Sequence, residues 1–221
     1  MIAENIKQIL SELPDGVRLV AVSKFHPKEA IEEAYRAGQR IFGESKVQEM
    51  TGKYESLPKD IEWHFIGHLQ TNKIKYIVPY VALIHGIDSY KLLAEVNKQA
   101  IKANRVVNCL LQIHIAEEET KFGFSFDECR EMLESEDWKT LKNIQLCGLM
   151  GMATNTADNE QIKKEFCLLN KFFKEVKNKW FDNTVAFKEL SAGMSHDYHL
   201  AIESGSTLVR IGSKIFGDRV Y

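Results

Sequence analysis

Five residues in this 221-residue chain are of the right types to do chemistry together, and they fall at its two ends. Lys24 follows the apolar run Leu19-Val20-Ala21-Val22-Ser23. A lysine ending a buried strand directs its ammonium into whatever mouth that strand opens on. Desolvation and neighbouring cations there favour the neutral amine, the form that attacks a carbonyl carbon to make a Schiff base. The plainer alternative is a stem that snorkels to water. At the other end stands Gly193-Met194-Ser195-His196-Asp197. Ser195 reads as the N-cap of a short helix whose free N–H groups and dipole suit an anion, and Gly193 removes a side chain that would block close approach. Arg210 lies inside Thr207-Leu208-Val209-Arg210-Ile211, so its charge must meet a ligand or an acid such as Glu203 or Asp218. Gly212 and Ser213 add backbone N–H groups and a hydroxyl, the second half of an anion cradle.

The elements that must position these groups alternate along the chain. Short apolar runs suited to strands buried on both faces are Arg18–Ser23, Arg40–Gly43, Trp63–Gly67, Ala82–Ile87, Val107–Ile115, Gln145–Ala153, Phe187–Ala192 and Ser206–Ile211. Segments of helical period separate them. Ile2, Ile6, Ile9, Leu10 and Leu13 make a stripe before the first strand, and Leu92, Leu93, Val96 and Ala100 make another. Pro27 reads as a first helical residue, and Ser125-x-x-Glu128 as a capping box. Ile162, Phe166, Leu169, Phe172, Phe173 and Val176 mark the longest helix, and Gly205 stops the last short one. Eight such units of about 25–30 residues predict a single (β/α)8 barrel over residues 1–221, with the functional groups at the carboxyl ends of the strands. A doubly wound open sheet is the alternative, although no G-x-G-x-x-G follows the first strand.

Composition narrows the partners. With 29 Lys+Arg against 31 Asp+Glu, the formal charge of -2 supplies no electrostatic reason for nucleic acid or an anionic membrane as the main partner. The four cysteines, Cys109, Cys129, Cys147 and Cys167, form no C-x-x-C pair and have no histidines at ligand spacing, so reduced structural thiols and no metal are expected. The N-terminus does not read as a signal peptide, and the longest apolar run, Tyr76 to Ile84, is too short to span a bilayer. A cytoplasmic protein is expected.

An amine, an anion cradle and a buried guanidinium around one barrel mouth are the equipment for binding pyridoxal 5'-phosphate (PLP). The sequence also resembles a known family over nearly its whole length, the PLP homeostasis proteins, relatives of the N-terminal barrel of alanine racemase. The resemblance rests on Ala21-Val22-Ser23-Lys24, Gly43-Glu44-x-x-Val47-Gln48-Glu49, Trp63-His64-Phe65-Ile66-Gly67-x-Leu69-Gln70-x-Asn72-Lys73, Gly148-Leu149-Met150, Leu190-Ser191-x-Gly193-Met194-Ser195-x-Asp197 and Val209-Arg210-Ile211-Gly212-x-x-Ile215-Phe216-Gly217. It implies an alanine racemase N-terminal type of barrel, with Lys24 on the lysine that bonds PLP. It further implies Ser195, Gly212 and Ser213 on the phosphate positions, and Arg210 facing the pyridine nitrogen. Three positions depart from the family pattern: Ser45-Lys46 stand for the usual Asn-Tyr, Ala192 for Met, and His114 for Asn.

An arginine opposite the ring nitrogen has only donors and cannot accept a hydrogen bond from a protonated ring, so the nitrogen stays largely unprotonated and the ring is a weaker electron sink than one held by a carboxylate. Racemisation also needs a base on each face of the α-carbon. The resemblance implies that alanine racemase takes its second base from another domain, and one barrel consumes these 221 residues. His64 and Tyr198 are the internal substitutes to test, with structural roles as the plainer reading. The expectation is therefore a PLP-binding protein of intracellular vitamin B6 homeostasis with little or no turnover and no catalytic residue assigned. PLP-dependent apo-enzymes are its candidate recipients, and a monomer is expected rather than a dimer. A PLP-dependent amino-acid racemase is the alternative, and a class I aldolase-type barrel using Lys24 on a sugar phosphate is a third reading. Lys73 and Lys75 read as a solvated helix face, or as a surface for an enzyme partner.

Overall fold

The computed structural model describes residues 1–118 and 122–217. Eight parallel strands close into a barrel in chain order. They are β1 (Arg18–Val22), β2 (Ile41–Glu44), β3 (Glu62–Phe65), β4 (Leu83–Ile87), β5 (Val107–His114), β6 (Ile144–Met152), β7 (Glu189–Met194) and β8 (Leu208–Ile211). Closure is made by β1 on β8, where Val20 stands opposite Arg210, and it rules out the open sheet. Around the barrel run α1 (Ile2–Glu12), α2 (Lys28–Arg36), α3 (Val47–Ser56), α4 (Ile74–Ile77), α5 (Tyr90–Lys102), α6 (Phe126–Glu134), α7 (Asn159–Trp180), α8 (Tyr198–Glu203) and α9 (Ser213–Phe216).

Alternation along each strand sorts side chains between two cores. Leu19 and Ala21 of β1, Phe42, Trp63, Phe65 and Val209 belong to the large outer core under the helices. Val20, Leu83, Leu110, Cys147, Met150 and Leu208 fill the barrel interior. Complete burial of a side chain the size of Trp63 or Phe166 contributes ~2–3 kcal/mol, so the outer core supplies most of the cohesion. Arg210 shares the inward face of β8 with Leu208, two residues before it. The same period carries Val20 and Val22 on to Lys24 at the carboxyl mouth.

Local expectations meet small corrections. The capping box at Ser125 and Glu128 is present on both sides. Pro27 is the N-cap of α2 rather than its first helical residue. Leu10 is 43% exposed and leaves the α1 stripe, because α1 presents only Ile6 and Ile9 fully to the core. β7 starts two residues later than expected, since Phe187 packs into the outer core before the strand begins. Cys109, Cys129 and Cys147 are buried and Cys167 is exposed, all as free thiols. Among the described residues no helix is long and apolar enough to cross a membrane, and no group of three His, Cys, Asp or Glu side chains could hold a metal.

Candidate functional site

Lys24, Ser195, Arg210, Gly212 and Ser213 all line one cavity of about 310 Å³ at the carboxyl mouth. Val22, Ile66, Met152 and Met194 complete its apolar wall, and His26 and His196 stand at it as well. Residues from β1, β7 and β8, far apart in sequence, therefore converge as the barrel rule requires.

The backbone on both sides of Lys24 is clamped. Lys53, from α3, donates to Ser23 O at 2.8 Å, to Glu44 Oε1 at 2.8 Å and to Glu49 Oε1 at 2.7 Å. Ser23 Oγ donates to the same Glu44 oxygen at 2.6 Å. Glu49 in turn accepts from the Phe25 N–H at 2.6 Å. Burial pushes the Glu44 carboxyl up, while Lys53 and Ser23 pull it back towards the charged form. Phe25 has φ 67, a left-handed conformation that is strained for a residue with a Cβ and needs surrounding contacts to hold it. The clamp supplies them, so the chain turns sharply right after Lys24 and presents that amine at the mouth. Glu44 and Glu49 were visible only as letters of a motif. Glu49 is its i,i+4 neighbour on α3, but the reach of Lys53 to Ser23 O and Glu44, on other elements, left no signal in the sequence.

Ser195 does not cap a helix. Asp197 N donates to Met194 O at 3.1 Å, which makes a turn, and α8 starts only at Tyr198 with Asp197 at its N-cap. Ser195 Oγ instead accepts from Gly212 N at 3.1 Å and ties the loop after β7 to the loop after β8. Asp197 is buried and its Oδ1 accepts from Met194 N at 2.5 Å, holding that turn. Gly193 has φ +95, and a Cβ there would lie 2.7 Å from Ala201 Cβ and 2.9 Å from Tyr198 Cα. Its missing side chain thus makes room for α8, not for an anion. Gly212 precedes α9, which begins without a side-chain cap, so the first N–H groups of that turn lack helical acceptors.

Arg210 is 4% exposed. Nη1 donates to Ser191 Oγ at 2.5 Å and Nη2 to Gly151 O at 3.1 Å. Burial pushes the guanidinium down to about 10, against the opposing pull of Asp197. It stays charged near neutral pH. Glu203, the acid considered as its partner, pairs with Lys163 at 3.3 Å instead, and Asp218 lies outside the described residues.

The other positions of interest stay away from the cavity wall. Lys46 places its ammonium 4.7 Å from the centroid of the Phe25 ring. Ala192 belongs to the outer core, and His114 ends β5 half-buried. His64 is buried and 2.9 Å from His85. Tyr198 is buried and donates its hydroxyl to Glu12 Oε2 at 2.5 Å. Lys75 is exposed and Lys73 half-buried, as a solvated face requires.

A closed barrel with this mouth is of the alanine racemase N-terminal domain class, and the profile of that family, "Alanine racemase, N-terminal domain", matches residues 1–220. A pyridoxal phosphate homeostasis protein of Aquifex aeolicus is 40% identical over 205 residues, covering 92% of this chain and 88% of the relative. The chain belongs to the pyridoxal phosphate homeostasis protein family. The solved structure of PipY from Synechococcus elongatus without PLP superimposes with a TM-score of 0.92 at 35% identity, covering 98% of this chain and all of that one. PipY with PLP bound superimposes at 0.88 with the same identity.

Proposed function

We propose that this chain binds PLP as a Schiff base on Lys24 and serves intracellular PLP homeostasis, holding and releasing the cofactor with little or no turnover. The observation that carries the reading is convergence: a lysine amine, a charged guanidinium and two loops bearing backbone N–H and hydroxyl groups, tied together by Gly212 N on Ser195 Oγ, meet at one cavity. The donor set fits a phosphorylated pyridine aldehyde. Lys24 would meet the aldehyde carbon, Ser195, Gly212 and Ser213 would hold the phosphate, and Arg210 would face the ring nitrogen. A cavity of about 310 Å³ is within the range of small-ligand sites. When bound, PLP would supply an electron sink, and a charged arginine at its nitrogen would leave that sink weak, because a guanidinium has only donors and cannot stabilise a protonated ring nitrogen.

This chain's own residues favour holding over turnover. Tyr198 is engaged by Glu12, and His64 lies in the barrel interior, so neither is placed to serve as a base opposite Lys24. His26 is stacked on Phe216 at 5.0 Å and His196 faces Asp197 at 3.3 Å. PLP-dependent apo-enzymes are the recipients this reading calls for.

Purified protein incubated with PLP is expected to show a yellow band that borohydride bleaches, with the reduced adduct mapped by mass spectrometry to Lys24. A Lys24→Ala protein that keeps the band would sink the assignment. Rapid Lys24-dependent loss of α-deuterium from alanine or serine would overturn the low-turnover part and favour a racemase.

A further inference from the structure

Beneath Arg210 the barrel holds a line of polar side chains that cofactor holding does not use. Ser191 Oγ, which accepts from Arg210, lies 2.9 Å from His85 Nδ1. His85 Nε2 lies 2.9 Å from His64 Nδ1. Ser191 and His85 are fully buried and His64 is 2% exposed, so water cannot replace a missing partner. The line crosses from β8 through β7 and β4 to β3. His64 then lines a second cavity at the amino-terminal mouth, beside Arg18, Glu62 and Glu189.

Its direction follows from donor chemistry. A guanidinium has only N–H donors, so Ser191 Oγ must accept from Arg210. If the Ser191 hydroxyl then donates to His85 Nδ1, every donor and acceptor from Arg210 Nη1 to His64 Nδ1 is matched. His85 keeps its proton on Nε2 and gives it to His64 Nδ1, and His64 keeps its own on Nε2. The opposite order, His85 Nδ1–H into Ser191, makes the serine accept twice and strands its hydroxyl proton in a dry interior, where an unmade hydrogen bond is costly. A doubly protonated His85 fails for the same reason. Burial agrees, pushing His64 down to about 3 and His85 well below its ordinary value.

We propose that Ser191, His85 and His64 are positioning residues forming a one-way hydrogen-bond relay that fixes the plane of the Arg210 guanidinium, with both imidazoles locked as neutral Nε2–H tautomers. Gly151 O holds the second nitrogen from β6, so the plane is set from two strands while Arg210 lines the cavity. The consequence for a bound pyridine rests on the PLP reading above: the relay keeps a charged donor, aimed and unable to rotate away, at the ring nitrogen. The relay itself belongs to the protein without PLP.

Two measurements test it separately. Long-range 1H–15N spectra of the histidine-labelled full chain, recorded without PLP, are expected to show two buried imidazoles as neutral Nε2–H tautomers that do not titrate between about pH 5 and 8. An Nδ1–H tautomer at His85, or titration of either ring in that range, overturns the relay. Ser191→Ala is expected to weaken PLP binding about tenfold, shift the absorption band of the bound cofactor and change the His85 ring signals. Ser191→Thr keeps the hydroxyl and is expected to restore all three. A Ser191→Ala protein with wild-type affinity and band, or a Ser191→Thr protein as impaired as Ser191→Ala, overturns the positioning role. Should Ser191→Ala not fold, His64→Asn, with an amide oxygen in place of Nδ1, is expected to hold the His85 tautomer, and loss of that tautomer counts against the relay. A wild-type protein that forms no Lys24 adduct defeats the PLP reading alone, because the tautomer spectra still decide the relay.

Discussion

The two mouths of the barrel are built from the same eight strands and treat charge in opposite ways. At the amino-terminal mouth the two arginines are consumed by the fold. Arg18 pairs with Glu189 at 2.7 Å, and Thr207 donates to the other oxygen of that carboxylate at 2.9 Å. Arg105 donates to the carbonyls of Val78 and Val81, and Asn143 Nδ2 donates to Arg105 O at 2.8 Å. At the carboxyl mouth the polar groups nearest the cavity are held from behind and face forward. Lys24 is pinned through its neighbours Ser23 and Phe25, Arg210 through Ser191 and Gly151, and Ser195 through Gly212. One end uses its charges to close the barrel, whereas the other uses hydrogen bonds to aim them. A site for an anionic aldehyde needs the second arrangement, because prearranged donors bind without reorganising.

Breaking the carboxyl mouth at its reactive group is expected to have the largest effect. Lys24→Ala should lose the PLP band completely while its urea midpoint stays close to wild type, since the half-buried Lys24 is not part of either core. Gly193→Ala should cost about 2–3 kcal/mol in urea unfolding, because a left-handed backbone and a crowded α8 add up. It should also weaken PLP binding, which would show that α8 props the cradle. The pH dependence is next. Both relay histidines are depressed in the folded chain, so below about pH 6.5 the unfolded chain binds more protons and stability is lost as the pH is lowered; for His64 the loss continues down to about pH 3. At pH 5 the His64 ring should remove about 2 kcal/mol relative to pH 7, and His85 acts in the same direction. His64→Asn should flatten that slope in paired unfolding curves, and an unchanged slope would mean that His64 is not buried as a neutral ring. Smallest is Arg18→Ala at the amino mouth. Arg18 is 46% exposed, so solvent screens the pair and about 1 kcal/mol is expected, with PLP affinity unchanged. A binding defect there would erase the contrast between the two ends.

Much of this was legible in the chain because strand alternation is local. Leu208 and Arg210 are two apart and must share a face, and Val20, Val22 and Lys24 continue one face to the mouth. All eight strands and the capping box at Ser125 follow from such short-range pattern. The supports were not legible. Lys53 reaches Ser23 across 30 residues, and His85 reaches Ser191 across 106. No periodicity encodes such pairs. Ser195 lines the cavity without capping a helix, and Gly193 makes room for α8 rather than for an anion, since a serine before a helix and a glycine in a turn each fit several local geometries.

By itself the sequence determined which groups exist, which face of each strand carries them and which family they belong to, because propensity and side-chain direction act over a few residues. Tertiary structure alone decided which groups meet. Closing β8 against β1 with Val20 opposite Arg210 sets the barrel register, and that register, a long-range property of the whole sheet, brings Lys24, Ser195, Arg210, Gly212 and Ser213 to one cavity and runs Ser191, His85 and His64 beneath it.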